Sequence, residues 1–482
     1  MIRFSLAQFA LGSALLLSLL GCQEDGELRH EEPRHGISEL RPTDPQDPGG
    51  YEGAAAESFL SPQGYLRVWY ALEGPHRPPQ EDQNQSGIPD YVELAAAIGD
   101  EVGALITSQG WRRPLVGSSL SNSEPLDLFL VDFSAGDGNF RPEFCGRPDS
   151  TQATRCAGHL RVENDFQPLF YPSLEYALRV VVSHEYFHAV QYAYTAELPA
   201  WWAEGTATWF QEYYWSEQED FERLTSNYFA DHTRSLNDRQ RGPFDGFAYG
   251  AGLFAYFLEV FFDPEIHLEI FEVLAEEKTT EEAIEKVLQS RGSSLRDAFQ
   301  TFALFNAFTG RRAQSDQGYR EAQRFEEVEL LALDGDRALN WNFEVDPLAS
   351  TYGFLEASRN LSLFLEPIEG RDQASLQVIT FEDFANGSPA LSVSYDEALV
   401  LQVSQLPAIL VAANGDLLRS QAAQVQIRAQ SQPREPADPV DEEEEETRRG
   451  CQSTSGPPSL ALLALFFLFL LFRTSKSFPA RF

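Results

Sequence analysis

The residues best suited to chemistry form a short cluster near the middle of the chain, the pentad HEYFH that runs from His184 to His188. It lies within residues 174–194, a segment whose pattern predicts a helix of about five turns. On a helix His184 and His188 are one turn apart on the same face, so both imidazoles can reach one metal ion. Glu185 projects beside them, where a carboxylate can act as a general base on a metal-bound water. The alternative interpretation is a pair of structural histidines on an amphipathic helix.

A second motif supplies a candidate for a third ligand. The sequence WWAEGTA begins at Trp201 and places Glu204 16 positions after His188. Catalytic zinc sites use three protein ligands and leave a further position for water or substrate. A carboxylate on the next helix, returning antiparallel after a short loop, can complete such a set. The alternative is a buried glutamate that pairs with a local partner.

Together the two motifs resemble those of the gluzincins, the class of thermolysin and aminopeptidase N. The resemblance implies that His184, His188 and Glu204 bind zinc and that Glu185 is the general base. The spacing between the second histidine and the glutamate is shorter here than in either named enzyme. Thr208 stands where thermolysin-like proteins carry an acid.

The resemblance also bears on the group that stabilises the oxyanion. Enzymes similar to aminopeptidase N place a tyrosine before a Gly-Ala pair, and alignment on Gly250 puts Phe247 in that slot. Tyr249, two residues later, is the candidate catalytic donor, and His232 is an alternative. Packing in the core is the other interpretation of Tyr249.

A twelve-residue stretch, 82–93, matches the pattern of a calcium-binding loop. Its glycine is at the sixth position, and a backbone carbonyl is offered at the seventh. The preceding residues do not favour an entering helix, and Pro89 interrupts the loop. The alternative is therefore a helix start with Pro89 in its first turn. The predicted Ca²⁺ ligands are Asp82, Asn84, Ser86, Ile88, Asp90 and Glu93.

Composition narrows the possible partners. The 482 residues are 43% hydrophobic and 23% charged, which is typical of globular proteins. The formal net charge is −38. A surface this acidic repels phosphate backbones, so we expect no nucleic-acid partner.

The N-terminus predicts export. Residues 1–21 have the positive start and apolar stretch of a signal peptide, and the Leu-Gly-Cys sequence that ends at Cys22 resembles a bacterial lipobox. Lipidation of Cys22 would attach the protein to a membrane, whereas a plain cleaved signal peptide is the alternative. Export permits disulfides, and Cys145 and Cys156 are then the natural pair.

The C-terminus predicts a second attachment. Residues 460–472 are all apolar, and basic residues follow them. Thirteen helical residues span roughly 20 Å, less than the ~30 Å hydrocarbon core of a membrane. Preceded by Gly450-Cys451, this arrangement resembles the C-terminal sorting tails of myxobacterial surface proteins, in which Cys451 would be the processing residue. A plain tail anchor is the alternative, and the sequence leaves open which of the two anchors operates.

The pattern of elements between the two ends predicts an α+β protein. We expect a flexible leader over residues 22–57, a zincin-like metallopeptidase domain over 58–330 and a C-terminal β-sandwich over 331–430. An acidic stalk over 431–450 and the sorting or transmembrane tail over 451–482 complete the chain.

The combined set of motifs resembles the myxobacterial secreted zinc metalloproteases with a sorting tail. The resemblance covers residues 59 to 430 and implies a peptidase that acts on a protein or peptide substrate at the outer membrane or cell surface. The alternatives are a surface binding or adhesion protein with a non-catalytic zincin-like core and a zinc hydrolase of non-peptide bonds.

Overall fold

The computed structural model describes residues 40–431 except for short gaps. The predicted signal peptide, Cys22, the predicted stalk beyond Ser431 and the predicted tail with Cys451 lie outside the described residues. None of the helices within the described part is long and apolar enough to cross a membrane. The gaps comprise residues 48, 134–135, 169, 243–244, 277, 315–317, 338–339, 359–360, 367–373, 382–388, 395–399, 404–406 and 416–422.

A mixed five-stranded sheet forms the first part of the structure. Its strands are β1 (Ala56–Leu60), β2 (Leu66–Ala71), β3 (Leu126–Val131), β4 (Gly138–Gly146) and β5 (Arg155–Glu163). The spatial order is β1-β2-β3-β5-β4, in which β2, β3 and β5 are parallel and the two edge strands run antiparallel to their neighbours. All six residues of β3 are buried, which explains its nearly continuous apolar sequence.

Nine α-helices follow or interleave with these strands in the described residues. The side chain of Ser173 caps the second helix by accepting a hydrogen bond from the backbone of Tyr176. The helices are α1 (Asp90–Ser108), α2 (Leu174–Tyr192), α3 (Ala200–Tyr214), α4 (Asp220–Ala230), α5 (Phe247–Gly250), α6 (Gly252–Phe261), α7 (Glu265–Leu274), α8 (Thr280–Ser290) and α9 (Leu295–Ala307).

One face of the sheet carries the main core. Leu128 of β3 and Leu160 of β5 belong to the same buried cluster as Val92 of α1 and Val182 of α2. The alternation of side chains along each strand sends these residues to the helical side and their neighbours to the opposite side. The sheet therefore supports α2 directly, and α2 carries the pentad.

The opposite face of the sheet is covered by the described residues between Leu40 and Ala55, which we call the N-terminal strap. Tyr51 is buried there and its hydroxyl donates to the Trp69 carbonyl oxygen at 3.0 Å. The Arg41 guanidinium donates to Glu143 at 2.6 and 2.9 Å and to Asp127 at 2.8 Å. This part of the predicted flexible leader is packed on the sheet. Its Arg41 side chain pairs with carboxylates of the sheet that would otherwise lack this partner.

The remaining strands form two sheets. They are β6 (Leu331–Asp334), β7 (Asn340–Val345), β8 (Ala349–Glu356), β9 (Leu361–Glu366), β10 (Ala374–Phe381), β11 (Pro389–Ser394), β12 (Val400–Val403), β13 (Ala408–Asn414) and β14 (Ala423–Ser431). The orders are β11-β10-β13-β8-β6 and β12-β9-β14-β7. The Tyr352 hydroxyl of β8 donates to the Ala303 carbonyl oxygen of α9 at 2.9 Å, so these strands pack on the helices. Helices and sheets together confirm the predicted α+β class.

Candidate metal centre

Helix α2 brings His184 and His188 together. Both histidines lie on its buried part, with exposed fractions of 6% and 7%. Their Nε2 atoms are 3.0 Å apart, and the two rings meet edge to face with centroids 4.7 Å apart. The one-turn spacing on a rigid helix that is packed against the sheet thus points two imidazole nitrogens at the same place.

Helix α3 supplies the carboxylate. Pro199 precedes its first residue, and Glu204 lies in the second turn. The Glu204 Oε2 atom is 3.2 Å from Nε2 of His184 and 3.4 Å from Nε2 of His188. The ligand atoms of the three residues lie within 4.8 Å of one another, so the group could hold a metal ion. Nothing in the structure identifies which metal that would be.

Two glutamines that the sequence analysis missed contact the other ring nitrogens. Nδ1 of His184 lies 3.1 Å from Oε1 of Gln211, and Nδ1 of His188 lies 2.9 Å from Oε1 of Gln191. Both glutamines are buried. Gln191 lies three residues after His188, a helical spacing that could have indicated it. Gln211 approaches His184 from the neighbouring helix, which local spacing does not reveal.

The electrostatics of the group favour a cation. Burial opposes charge on His188, but the Glu204 carboxylate outweighs it and raises the pKa of His188 to about 10. Burial likewise disfavours the Glu204 carboxylate, yet the two imidazoles hold its pKa well below the usual value. A metal ion takes the imidazole in its neutral form and would therefore displace a proton from this group.

Glu185 lies against the edge of the sheet. Its exposed fraction is 2%. A Cβ atom built at Gly138, the first residue of β4, would lie 2.9 Å from Cγ of Glu185, so only glycine fits there without movement. The predicted general base is thus beside the start of an edge strand and next in sequence to a candidate ligand.

Tyr249 is brought to the group by a close helix approach. Its ring stacks on that of His184, with centroids 5.9 Å apart. A Cβ atom on Gly205 would be 3.1 Å from the backbone of Ala251 and Gly252, so the glycine after Glu204 lets the chain around α5 and α6 come close to α3. This gives a physical reason for the Glu-Gly pair of the second motif.

The two other residues considered for the oxyanion role lie elsewhere. Phe247 is buried, and the guanidinium carbon of Arg234 lies over its ring, 4.4 Å from the centroid of the ring. Nδ1 of His232 lies 3.0 Å from the Ser350 carbonyl oxygen, which fixes this histidine against β8. Of the sequence candidates, Tyr249 is the one that contacts a ligand residue.

The predicted calcium loop runs into the first turn of α1 and is held by its own hydrogen bonds. Asp82 and Asn84 both accept from the backbone nitrogen of Ser86, at 3.0 and 2.9 Å. The Asn84 amide donates to Glu93 at 2.7 Å. Within the described part of the chain, the three acids of this loop do not form a close group of the kind seen at His184. The calcium site stays a prediction.

The structure joins Cys145 of β4 to Cys156 of β5 in a disulfide with sulfur atoms 2.05 Å apart. The two residues face each other in the antiparallel register of these strands. The bridge lies at the far end of β4 from Gly138. It therefore ties the edge strand that passes Glu185 to the rest of the sheet.

Comparison with known proteins adds no family. No protein-family model matches the chain, and no curated protein matches it.

Proposed function

We propose that the protein is a surface-anchored zinc peptidase that hydrolyses peptide bonds with a zinc-activated water and Glu185 as general base. The observation that carries the proposal is the convergence of two imidazole nitrogens and one carboxylate oxygen from α2 and α3. Two nitrogens and an oxygen from three protein ligands, with a further position left for water, are typical of catalytic zinc.

The spacing of the donors suits zinc. With metal–ligand bonds of about 2.0–2.1 Å, the donors of a tetrahedral site lie about 3.3 Å apart. The three distances among the Nε2 atoms of His184 and His188 and Oε2 of Glu204 are 3.0, 3.2 and 3.4 Å. Ions that prefer six or more oxygen ligands, such as Ca²⁺ and Mg²⁺, fit this donor set poorly.

The chain's own residues account for the proton transfers. A bound zinc ion would supply Lewis acidity and would lower the pKa of a coordinated water far below that of bulk water, toward about 7. Glu185 accepts the proton of the attacking water and passes it to the leaving amine. Tyr249, whose ring contacts His184, is the proposed donor of a hydrogen bond to the oxyanion that forms on the scissile carbonyl.

The position of β4 favours an extended peptide as substrate. This strand is at the edge of the sheet and begins beside Glu185. An edge strand presents unpaired backbone groups to which an extended peptide can add as a further strand. A peptide aligned in this way would run near the general base, which favours peptide hydrolysis over hydrolysis of a non-peptide bond.

The finer features of the sequence interpretation belong to the same proposal. They are a zincin-like domain over residues 58–330, a β-sandwich over 331–430 and kinship with the myxobacterial secreted metalloproteases. We also propose export and attachment at the outer membrane or cell surface, through lipid on Cys22 or the tail processed at Cys451. A protein or peptide substrate is part of the same proposal, and the net negative charge argues against a nucleic-acid partner.

Metal analysis and proteolysis of matched variants test the function. We expect the purified protein to contain about one zinc per chain and to cleave casein or a peptide library. Glu185→Gln is expected to lower cleavage by about 10²–10⁴-fold, because it removes general-base catalysis, while zinc content is unchanged. Glu175→Gln, an exposed substitution in the first turn of the same helix, is the matched control.

The competing functions give different results. Full activity in Glu185→Gln would show that another group is the base. A protein that binds zinc but cleaves neither casein nor the peptide library would favour the binding or adhesion function, in which the metal is structural.

A further inference from the structure

We propose that Gln191 and Gln211 are positioning residues for the metal centre and that their roles differ. Gln211 only orients His184, whereas Gln191 both orients His188 and braces α2 against the turn of α3 that carries Glu204. The inference rests on the proposed metal centre and adds to it the residues that set the direction of each ligand.

The orientation of the Gln191 amide follows from its partners on α3. Its Nε2 atom lies 2.8 Å from the Ala203 carbonyl oxygen and 2.9 Å from the Thr206 hydroxyl. A carbonyl oxygen can only accept, and Thr206 uses its hydrogen to donate to the Trp202 carbonyl oxygen at 2.7 Å. The amide nitrogen of Gln191 must therefore face α3, which leaves its oxygen toward His188.

This orientation fixes the tautomer of the ligand. Oε1 of Gln191 accepts only, so Nδ1 of His188, 2.9 Å away, must carry the hydrogen. In the neutral imidazole the lone pair is then on Nε2, the atom that faces His184 and Glu204. Metal-bound histidines commonly donate their second ring N–H in this way, and loss of the acceptor typically costs 10- to 100-fold in metal affinity.

Gln191 has a second effect through its donors. Ala203 immediately precedes Glu204, and Thr206 follows it by two positions. Because Gln191 donates to both, it ties the last turn of α2 to the turn of α3 that carries the carboxylate ligand. The distance between the imidazole of His188 and the carboxylate of Glu204 thus depends on the same side chain that selects the tautomer.

The difference between the two glutamines can be tested by substitution with glutamate. Glu supplies an acceptor oxygen but, when ionised, no donor. At position 211 it keeps the hydrogen bond from His184, 3.1 Å in the native protein. At position 191 it keeps the acceptor for His188 but loses both hydrogen bonds to α3 and places a carboxylate against the Ala203 carbonyl oxygen.

The experiment measures binding of Zn²⁺ to the chelator-treated full chain at pH 8, by competition with a chromophoric chelator. Gln191→Met and Gln211→Met are each expected to weaken binding by about 10- to 100-fold. Gln211→Glu should restore the affinity to within about threefold of the native value, whereas Gln191→Glu should not. The absorption spectrum of bound Co²⁺ should change in Gln191→Met and be native-like in Gln211→Glu.

Thermal unfolding of the metal-free proteins separates misfolding from loss of positioning. Weaker binding by variants that unfold at the native temperature supports the inference. Equal rescue by glutamate at both positions, or native affinity in Gln191→Met, would overturn it while leaving the metal centre intact. Failure of the unsubstituted chain to bind Zn²⁺ or Co²⁺ would overturn both the centre and the inference.

Discussion

The ring of Tyr249 lies on that of His184, with the two centroids 5.9 Å apart and the planes inclined by 28°. Tyr249 lies in α5 and His184 in α2, and the two residues are 65 positions apart in the sequence. Their contact places a phenol beside a candidate ligand, and the close approach of Gly205 to Gly252 brings the neighbouring helices together. It makes Tyr249 the natural candidate for a donor to a developing negative charge.

Substitution of this tyrosine tests its role. Tyr249→Phe keeps the ring contact but removes the hydroxyl, so we expect kcat for peptide hydrolysis to fall by about 10²–10³-fold, as for loss of one oxyanion donor. Zinc affinity should stay at the native value because the phenol is not a ligand in this arrangement. Steady-state kinetics and chelator competition measure the two effects. Tyr213→Phe, whose ring stacks on Trp209 instead, is the matched control. Unchanged kcat in Tyr249→Phe would contradict the role.

The N-terminal strap predicts where the chain can be shortened. A protein that starts at Leu40 keeps the strap and serves as the reference. One that starts at Ala56 should lose at least about 3 kcal/mol of unfolding free energy, because buried charges lose their partners. The affected groups include Glu143, whose carboxylate would lose the Arg41 guanidinium, and Arg161, which pairs with Asp47 at 3.1 Å. Urea unfolding of the two shortened proteins measures the difference.

The same strap bears on maturation. If the protein is processed after export, we expect the cleavage site to lie before Leu40, because the strap covers the face of the sheet that is opposite the helices. N-terminal sequencing of the secreted protein checks this. A mature N-terminus at or beyond Ala56 in an active, folded protein would contradict the structural role of the strap.

A buried glutamate near the end of α3 predicts a pH dependence of stability. Burial, together with the nearby Glu222 carboxylate, raises the pKa of Glu212 to about 8. Because the pKa of Glu212 is higher in the folded than in the unfolded protein, this group stabilises the fold most at pH values below its pKa in the unfolded chain. The contribution is lost as pH rises through about 8. The free energy of unfolding should therefore fall with increasing pH across neutrality, by about 1 kcal/mol per pH unit from this group.

Glu212→Gln isolates this effect. The substitution keeps an oxygen that can accept from Gln218, which donates to Glu212 at 3.0 Å in the native protein. We expect the variant to be more stable than the native protein at pH 8–9 and the difference to shrink toward pH 5. Denaturant unfolding across this range gives the result, with the exposed Glu217→Gln as control. A difference that is independent of pH would refute the assignment.

The disulfide predicts that the protein is more stable with the Cys145–Cys156 bridge than without it. Replacing both Cys145 and Cys156 with alanine should lower the free energy of unfolding by about 2–3 kcal/mol, the range for closure of a short loop. Activity at low temperature should persist, since the bridge is at the opposite end of β4 from Gly138. Thermal unfolding and peptide cleavage by the double variant measure both. Loss of activity in a folded double variant would show that the bridge also fixes the strand beside Glu185.

The sequence predicted much of the secondary structure because its signals are local. The capped, largely apolar segment from Leu174 forms α2, and the apolar run from Leu126 to Val131 forms β3. It could not show that residues 40–55 are packed. Their polar, proline-rich composition resembles that of a flexible segment, and their order depends on charges of β3, β4 and β5 that are distant in the chain.

The convergence of His184 and His188 was determined by the sequence alone, because a helix places residues four apart on one face wherever it lies in the fold. Glu204 was indicated by its motif, but its distance from the imidazoles depends on how α3 packs against α2. Only the tertiary structure decided that Gln211 orients His184 and that Tyr249, not Phe247, lies beside it. Those contacts join separate helices. Their geometry is set by side-chain packing and by the close helix approach at Gly205, which the periodic pattern of the sequence does not encode.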